Sequence, residues 1–154
     1  MSGYTWGSAR WRGRFALIFV VGWLVGCNDY SQVRASLDPA ERVRFDRGQR
    51  EATPCWSCHD LTGQGRKIGP PLGGFFGRRA ASAPEYPYSP ALEASGLVWN
   101  EQTLGSFLEA PQRVIPGNRM LSPPLTDPAR RADLVFFLSQ VSRPGGVSGR
   151  TALD

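Results

Sequence analysis

Three stretches of this 154-residue chain read as helices, two of them from apolar residues at helical spacing. In the last of them, Leu134, Phe137, Leu138 and Val141 recur at i, i+3, i+4 and i+7, which gives a helix one apolar face. It opens on Asp127-Pro128, and Pro144-Gly145-Gly146 stops it. A second helix is predicted after Asn100, a good N-cap, with Glu101 in the first turn. Leu104, Phe107 and Leu108 share its inner face, and Pro111 ends it. The first of the three begins near Asp38-Pro39 and runs to about Glu51. No run alternates convincingly with the period of a strand. The Gly- and Pro-rich stretch from Thr62 to Ser95 is too long for an unsupported loop in a small domain and suits chain wrapped around a cofactor.

The front of the chain has a different pattern. Arg10, Arg12 and Arg14 precede an uncharged apolar run from Phe15 to Gly26. Its 12 residues would make a helix about 18 Å long, against a hydrocarbon core of about 30 Å. Residues 1–27 therefore read as an export signal rather than a comfortable membrane span. The run ends in Leu24-Val25-Gly26-Cys27, which resembles the lipobox of bacterial lipoproteins. In that family the cysteine is diacylated, the signal is removed before it, and the new amino terminus is usually acylated. An ordinary cleaved signal and an uncleaved anchor are the alternatives. Residues 28–36 are expected to be a tether reaching about 30 Å at most. Residues 37–143 would form one domain, and residues 144–154 a flexible tail.

Charge changes this picture little. The formal net charge is +5, but without Arg10, Arg12 and Arg14 the balance is 15 basic against 13 acidic residues, or +2. That argues against nucleic-acid binding.

The chemistry concentrates in Cys55-Trp56-Ser57-Cys58-His59, which holds the chain's one histidine. A Cys-x-x-Cys-His run is the attachment signature of a c-type haem. Two thiols at this spacing can each reach one vinyl group of a porphyrin edge, and the adjacent imidazole then lies under the iron. Structural zinc is the first rival, but it wants four ligands and only three are present. A thioredoxin-like redox pair is the second, and it expects a βαβ setting that is absent. Met120 is the chain's one internal methionine. It sits on the Pro116-Gly117 loop and is the candidate second axial ligand; a thioether there raises the potential relative to a second histidine.

From about residue 38 to 142 the chain resembles the class I, mitochondrial-type cytochromes c. Beyond the haem motif, the resemblance rests on Gly69-Pro70-Pro71-Leu72-Gly73-Gly74-Phe75-Phe76-Gly77-Arg78, Tyr86-Pro87-Tyr88, Gly96-Leu97-Val98-Trp99, Ile115-Pro116-Gly117-Asn118-Arg119-Met120 and the run Arg131 to Leu138. It implies an all-α, small cytochrome c fold around one haem c bound through Cys55 and Cys58, with His59 and Met120 on the iron. It further implies that the Pro70 carbonyl orients His59, that Arg78, Tyr88, Trp99 and Asn118 reach the haem propionates, and that Gly48 marks the crossing of the first and last helices. Departures are present. Glu51 and Ala52 stand where the family often has an aromatic residue. Phe107 replaces a tyrosine, Leu92 an asparagine, and Ser122 a phenylalanine at the crevice mouth. The family's lysine ring is mostly gone, with Thr126 and Asp127 at two of its positions; Arg113, Arg119 and Lys67 remain. The expected function is one-electron transfer by a lipid-anchored carrier, not an enzyme, on the periplasmic side of a bacterial membrane. Its partners would be membrane oxidoreductase or oxidase complexes, respiratory or photosynthetic. A permanent subunit of an oxidase, reaction centre or dehydrogenase is the alternative, and an open-site haem enzyme or sensor a further one.

Overall fold

The computed structural model describes residues 30–61, 65 and 67–142. The signal-like segment with Cys27 and the tail 144–154 lie outside the described residues. Six α-helices occur among the described residues: α1 (Ser31–Ala35), α2 (Pro39–Glu51), α3 (Pro90–Ala94), α4 (Glu101–Glu109), α5 (Pro111–Val114) and α6 (Pro128–Val141). A 3₁₀ turn covers Thr53–Ser57. The described residues contain no strand, only an isolated antiparallel bridge between Arg79 and Val98.

The three long helices begin where their caps require. Asp38 and Glu41 form a reciprocal capping box at the start of α2, with bonds of 2.8 and 3.1 Å. Asn100 and Thr103 do the same for α4, at 2.9 Å each way. Asp127 accepts from the backbone N–H groups of Ala129 and Arg130 at the start of α6.

The core is the crossing of α2 and α6. Phe45 and Phe137 are fully buried and meet edge to face, with ring centroids 5.0 Å apart. Burial of such a side chain contributes about 1.5–3 kcal/mol. Leu134, Leu138 and Val141 extend the seam, and Leu104 and Leu108 of α4 close it. Gly48 lies at the crossing: a Cβ there would sit 2.0 Å from the Asp133 carbonyl oxygen and 2.7 Å from the Phe137 Cβ. Only a residue without a side chain allows this approach. Ion pairs flank the seam, Arg47 to Asp133 at 2.6 Å and Arg130 to Glu51 at 2.7 Å.

The structure adds to the expected elements at three places. In its described part, the segment 28–36 is not a loose tether: residues 31–35 are helical and Tyr30 is buried against Phe137. Pro111 ends α4 but also starts α5, since proline suits a first helical turn. The stretch 62–95 contains α3, capped by Ser89, whose hydroxyl accepts from the Leu92 N–H at 3.2 Å.

Candidate functional site

The 3₁₀ turn delivers Cys55 and Cys58. The N–H groups of Cys58 and His59 both donate to the Cys55 carbonyl, at 3.1 and 2.9 Å, so the five residues form one compact turn. Neither thiol is in a disulfide. The segment 69–72 is laced to this turn: Gly69 N–H donates to the Cys58 carbonyl and Leu72 N–H to the Asp60 carbonyl, each at 2.7 Å. Lys67 adds its ammonium on the Trp56 carbonyl.

The His59 ring is fixed from two sides. Its Nδ1 lies 2.8 Å from the Pro70 carbonyl oxygen. A carbonyl can only accept, so Nδ1 carries the proton and Nε2 keeps its lone pair. Gly69 backs the ring: a Cβ there would come within 2.5 Å of Cε1 and 2.9 Å of Nε2. Burial lowers the imidazole pKa, with the Pro70 bond opposing, so the neutral, ligating form is favoured. Burial likewise raises the Cys55 thiol.

Met120 arrives on a loop that is clamped internally. Gly117 takes a positive φ of 86°, which turns the chain after Pro116. The Gln112 amide donates to the Asn118 carbonyl at 2.9 Å and accepts from Gly117 N–H at 3.3 Å. Buried Asn118 donates to the carbonyls of Pro111 and Ile115, at 2.9 and 2.8 Å, and its Oδ1 accepts from Met120 N–H at 2.9 Å. Both amide hydrogens of Asn118 are thus used inside the loop. Its side chain is thereby tied into the loop, and its Oδ1 positions the Met120 backbone. Gln112 was not foreseen, although a glutamine just inside a proline-led turn, five residues before a glycine, is the available hint.

The other expected propionate partners lie around one region. Trp99 N–H donates to the Arg78 carbonyl at 2.9 Å, and Gly77 N–H donates to the Trp99 carbonyl at 2.7 Å. The Trp99 ring stands edge-on to Phe75 and Phe107, at 6.1 and 5.2 Å. Arg78 donates to the Ser82 carbonyl at 2.9 Å, and the Tyr88 hydroxyl accepts from Ala83 N–H at 3.2 Å. Arg78 and Tyr88 therefore converge on the loop 82–83. Burial is the main cause of a raised Tyr88 pKa, which the Ala83 bond and then the Arg78 charge counter, so the phenol stays a neutral donor.

The sequence profile of the cytochrome c family matches residues 45–142. The chain belongs to the cytochrome c family. Cytochrome c of Cochliobolus lunatus is 44% identical over 92 residues, covering 59% of this chain and 85% of that protein. Cytochrome c of Sesamum indicum is 41% identical over 110 residues, covering 70% and 99%. Among solved structures, cytochrome cH from Methylobacterium extorquens superposes with a TM-score of 0.58 at 33% identity, over 61% of this chain and 95% of that one. The fold is accordingly the all-α cytochrome c fold, and the cofactor is one covalently bound haem c. The chain is an electron-carrying monohaem cytochrome.

The residues present fit that group. Two unpaired thiols on one turn suit thioether attachment, and a neutral imidazole with its Nε2 lone pair suits an axial ligand. The haem supplies a one-electron couple at its iron. The polypeptide supplies a fixed His59 and a braced loop at Met120, with Leu72, Phe75, Trp99 and Met120 partly buried against the core.

Proposed function

We propose that this cytochrome c is a lipid-anchored carrier on the periplasmic side of a bacterial membrane, with His59 and Met120 as the two axial ligands. It passes single electrons between membrane-bound respiratory or photosynthetic complexes. The observation that supports the ligand assignment is that the His59 ring is fixed by Pro70 and Gly69, while Asn118 holds the backbone that carries Met120. Ligands held in place favour electron transfer, because little has to move between the ferric and ferrous states. The anchor rests on the lipobox-like Leu24-Val25-Gly26-Cys27.

Docking on this reading is less electrostatic than a lysine ring would make it. Ile68 and Leu121 are exposed apolar side chains, 83% and 94% accessible. Of the remaining cations, Lys67 is on the Trp56 carbonyl, Arg113 is 3.6 Å from Glu109, and Arg119 donates to the Pro87 carbonyl.

Met120→Ala tests the carrier reading. The haem should stay attached, the potential should fall, and the variant should bind carbon monoxide while the parent resists it. A parent protein that binds carbon monoxide readily, with spectrum and potential unchanged in the variant, would mark an open-site haem protein instead. Mass spectrometry of the membrane form tests the anchor: acyl chains on Cys27 are expected, and an unmodified Cys27 rejects it.

A further inference from the structure

The docked α1 changes what an anchor at Cys27 can do. A loose segment from 28 to 36 would span about 30 Å, roughly the diameter of a domain of this size. The domain could then present any side to the membrane. The structure instead buries Tyr30, which is 6% exposed and meets Phe137 edge-on, centroids 5.4 Å apart at 88°. Tyr30 thus supplies a ring to Phe137 from an element separate from α2 and α6.

The dock has three further fastenings. Arg34 makes a two-point bond to Asp46, at 2.6 and 2.7 Å. Arg42 donates to the Ala35 carbonyl at 3.0 Å. Leu37 closes the turn into α2 and is buried.

From Cys27 to Tyr30 the chain spans at most about 10 Å. We propose that α1 is a docking element that clamps the lipid-bearing end of the chain to the α2–α6 face, so that this face rests on the bilayer and the haem is carried in one orientation close to the lipid headgroups. The proposal rests on acylation of Cys27, the reading given above. A domain about 30 Å across on a span of about 10 Å cannot turn its far side to the lipid. A partner must then approach from the side, within the layer just above the membrane.

The test uses the full chain with haem bound, as recovered from membranes, in oriented phospholipid bilayers. Linear dichroism of the haem bands reports orientation, and quenching of a headgroup-attached fluorophore reports closeness. The native protein should show clear dichroism and strong quenching. A flexible Gly-Ser insert of about twelve residues between Asn28 and Asp29 adds about 20 Å of reach and leaves Tyr30 docked. It should abolish the dichroism and weaken the quenching severalfold, with membrane partition and thermal stability unchanged. Tyr30→Phe keeps the ring and should behave as the native protein, whereas Tyr30→Ala with Arg34→Ala should behave as the insert does. Membrane-bound native protein without dichroism, or an insert that changes neither signal, overturns the proposal while leaving the anchor intact. An unmodified Cys27 on mass analysis overturns the anchor reading, and the proposal with it.

Discussion

Gly48 and Gly105 allow one substitution to be read twice. Both lie inside helices, so glycine to alanine adds about 1 kcal/mol of helix propensity at either. Their surroundings differ. At Gly105 on α4 an added Cβ meets nothing within 4 Å. At Gly48 it would lie 2.0 Å from the Asp133 carbonyl oxygen, 2.7 Å from the Asp133 carbonyl carbon and 2.7 Å from the Phe137 Cβ. None of these atoms can rotate away, so α2 and α6 must part by about 1 Å, which forfeits a quarter to a half of the dispersion well at each seam contact. Overpacking of this kind costs about 1–3 kcal/mol and at times more; with two helix backbones involved, the upper end applies. Gly48→Ala should therefore lose about 2 kcal/mol net, and Gly105→Ala should gain about 0.5–1. The difference of about 3 kcal/mol is roughly a hundredfold in the folding constant. Guanidinium unfolding of the haem-bound proteins measures it as opposite shifts in midpoint at a common slope. Equal shifts for the two variants, or a Gly48→Ala protein as stable as its parent, would refute the packing argument.

Tyr30 makes the dock alkaline-labile. Its phenol is pushed up from 10.0 to about 12, first by burial and then by the Asp60 charge. Below pH 10 both folded and unfolded chains hold the proton and the contribution is intact. Between pH 10 and about 12 the unfolded chain ionises first, and up to about 3 kcal/mol is lost. Stability curves of the parent and Tyr30→Phe should diverge only in that window; parallel curves would contradict it. Gly69→Ala drives a methyl into the His59 ring, and its ferric spectrum and midpoint potential should change while the haem stays attached; an unaltered pair would show that the ring is not pinned there. Asn118→Ala removes three bonds from the Met120 loop at a cost of about 1–3 kcal/mol, and carbon monoxide should bind faster than in the parent; an unchanged rate would separate the clamp from the ligand.

The long helices were legible because their signals are local. Asp38-Pro39, Asn100-Glu101 and Asp127-Pro128 are cap and first-turn pairs, and the observed starts are Pro39, Glu101 and Pro128. Gly48 was legible through the resemblance, and its clash distances supply the physical reason. The attachment turn was legible for the same kind of reason as the caps, since Cys55, Cys58 and His59 are neighbours in sequence. What the sequence hid depends on distant partners. α1 has only five residues and no buried residue of its own; it is held by Phe137 and Asp46, which a local pattern cannot report. The bonds of Asn118 within its own loop had no local sign, because Pro111, Ile115 and Met120 converge on it only in the fold. α3 could have been read from Ser89-Pro90, a cap followed by a first-turn proline, had the glycines around it carried less weight.

Lys67 is the chain's one lysine, and its ammonium sits on the carbonyl of Trp56, inside the run that carries the haem. Amine-selective reagents therefore meet a single side-chain target. A surface rich in lysines would yield a mixture of products; this one directs a dye, a spin label or an electrode linker to a single address beside the cofactor. The same scarcity that weakens electrostatic docking makes the molecule easy to wire at one known point.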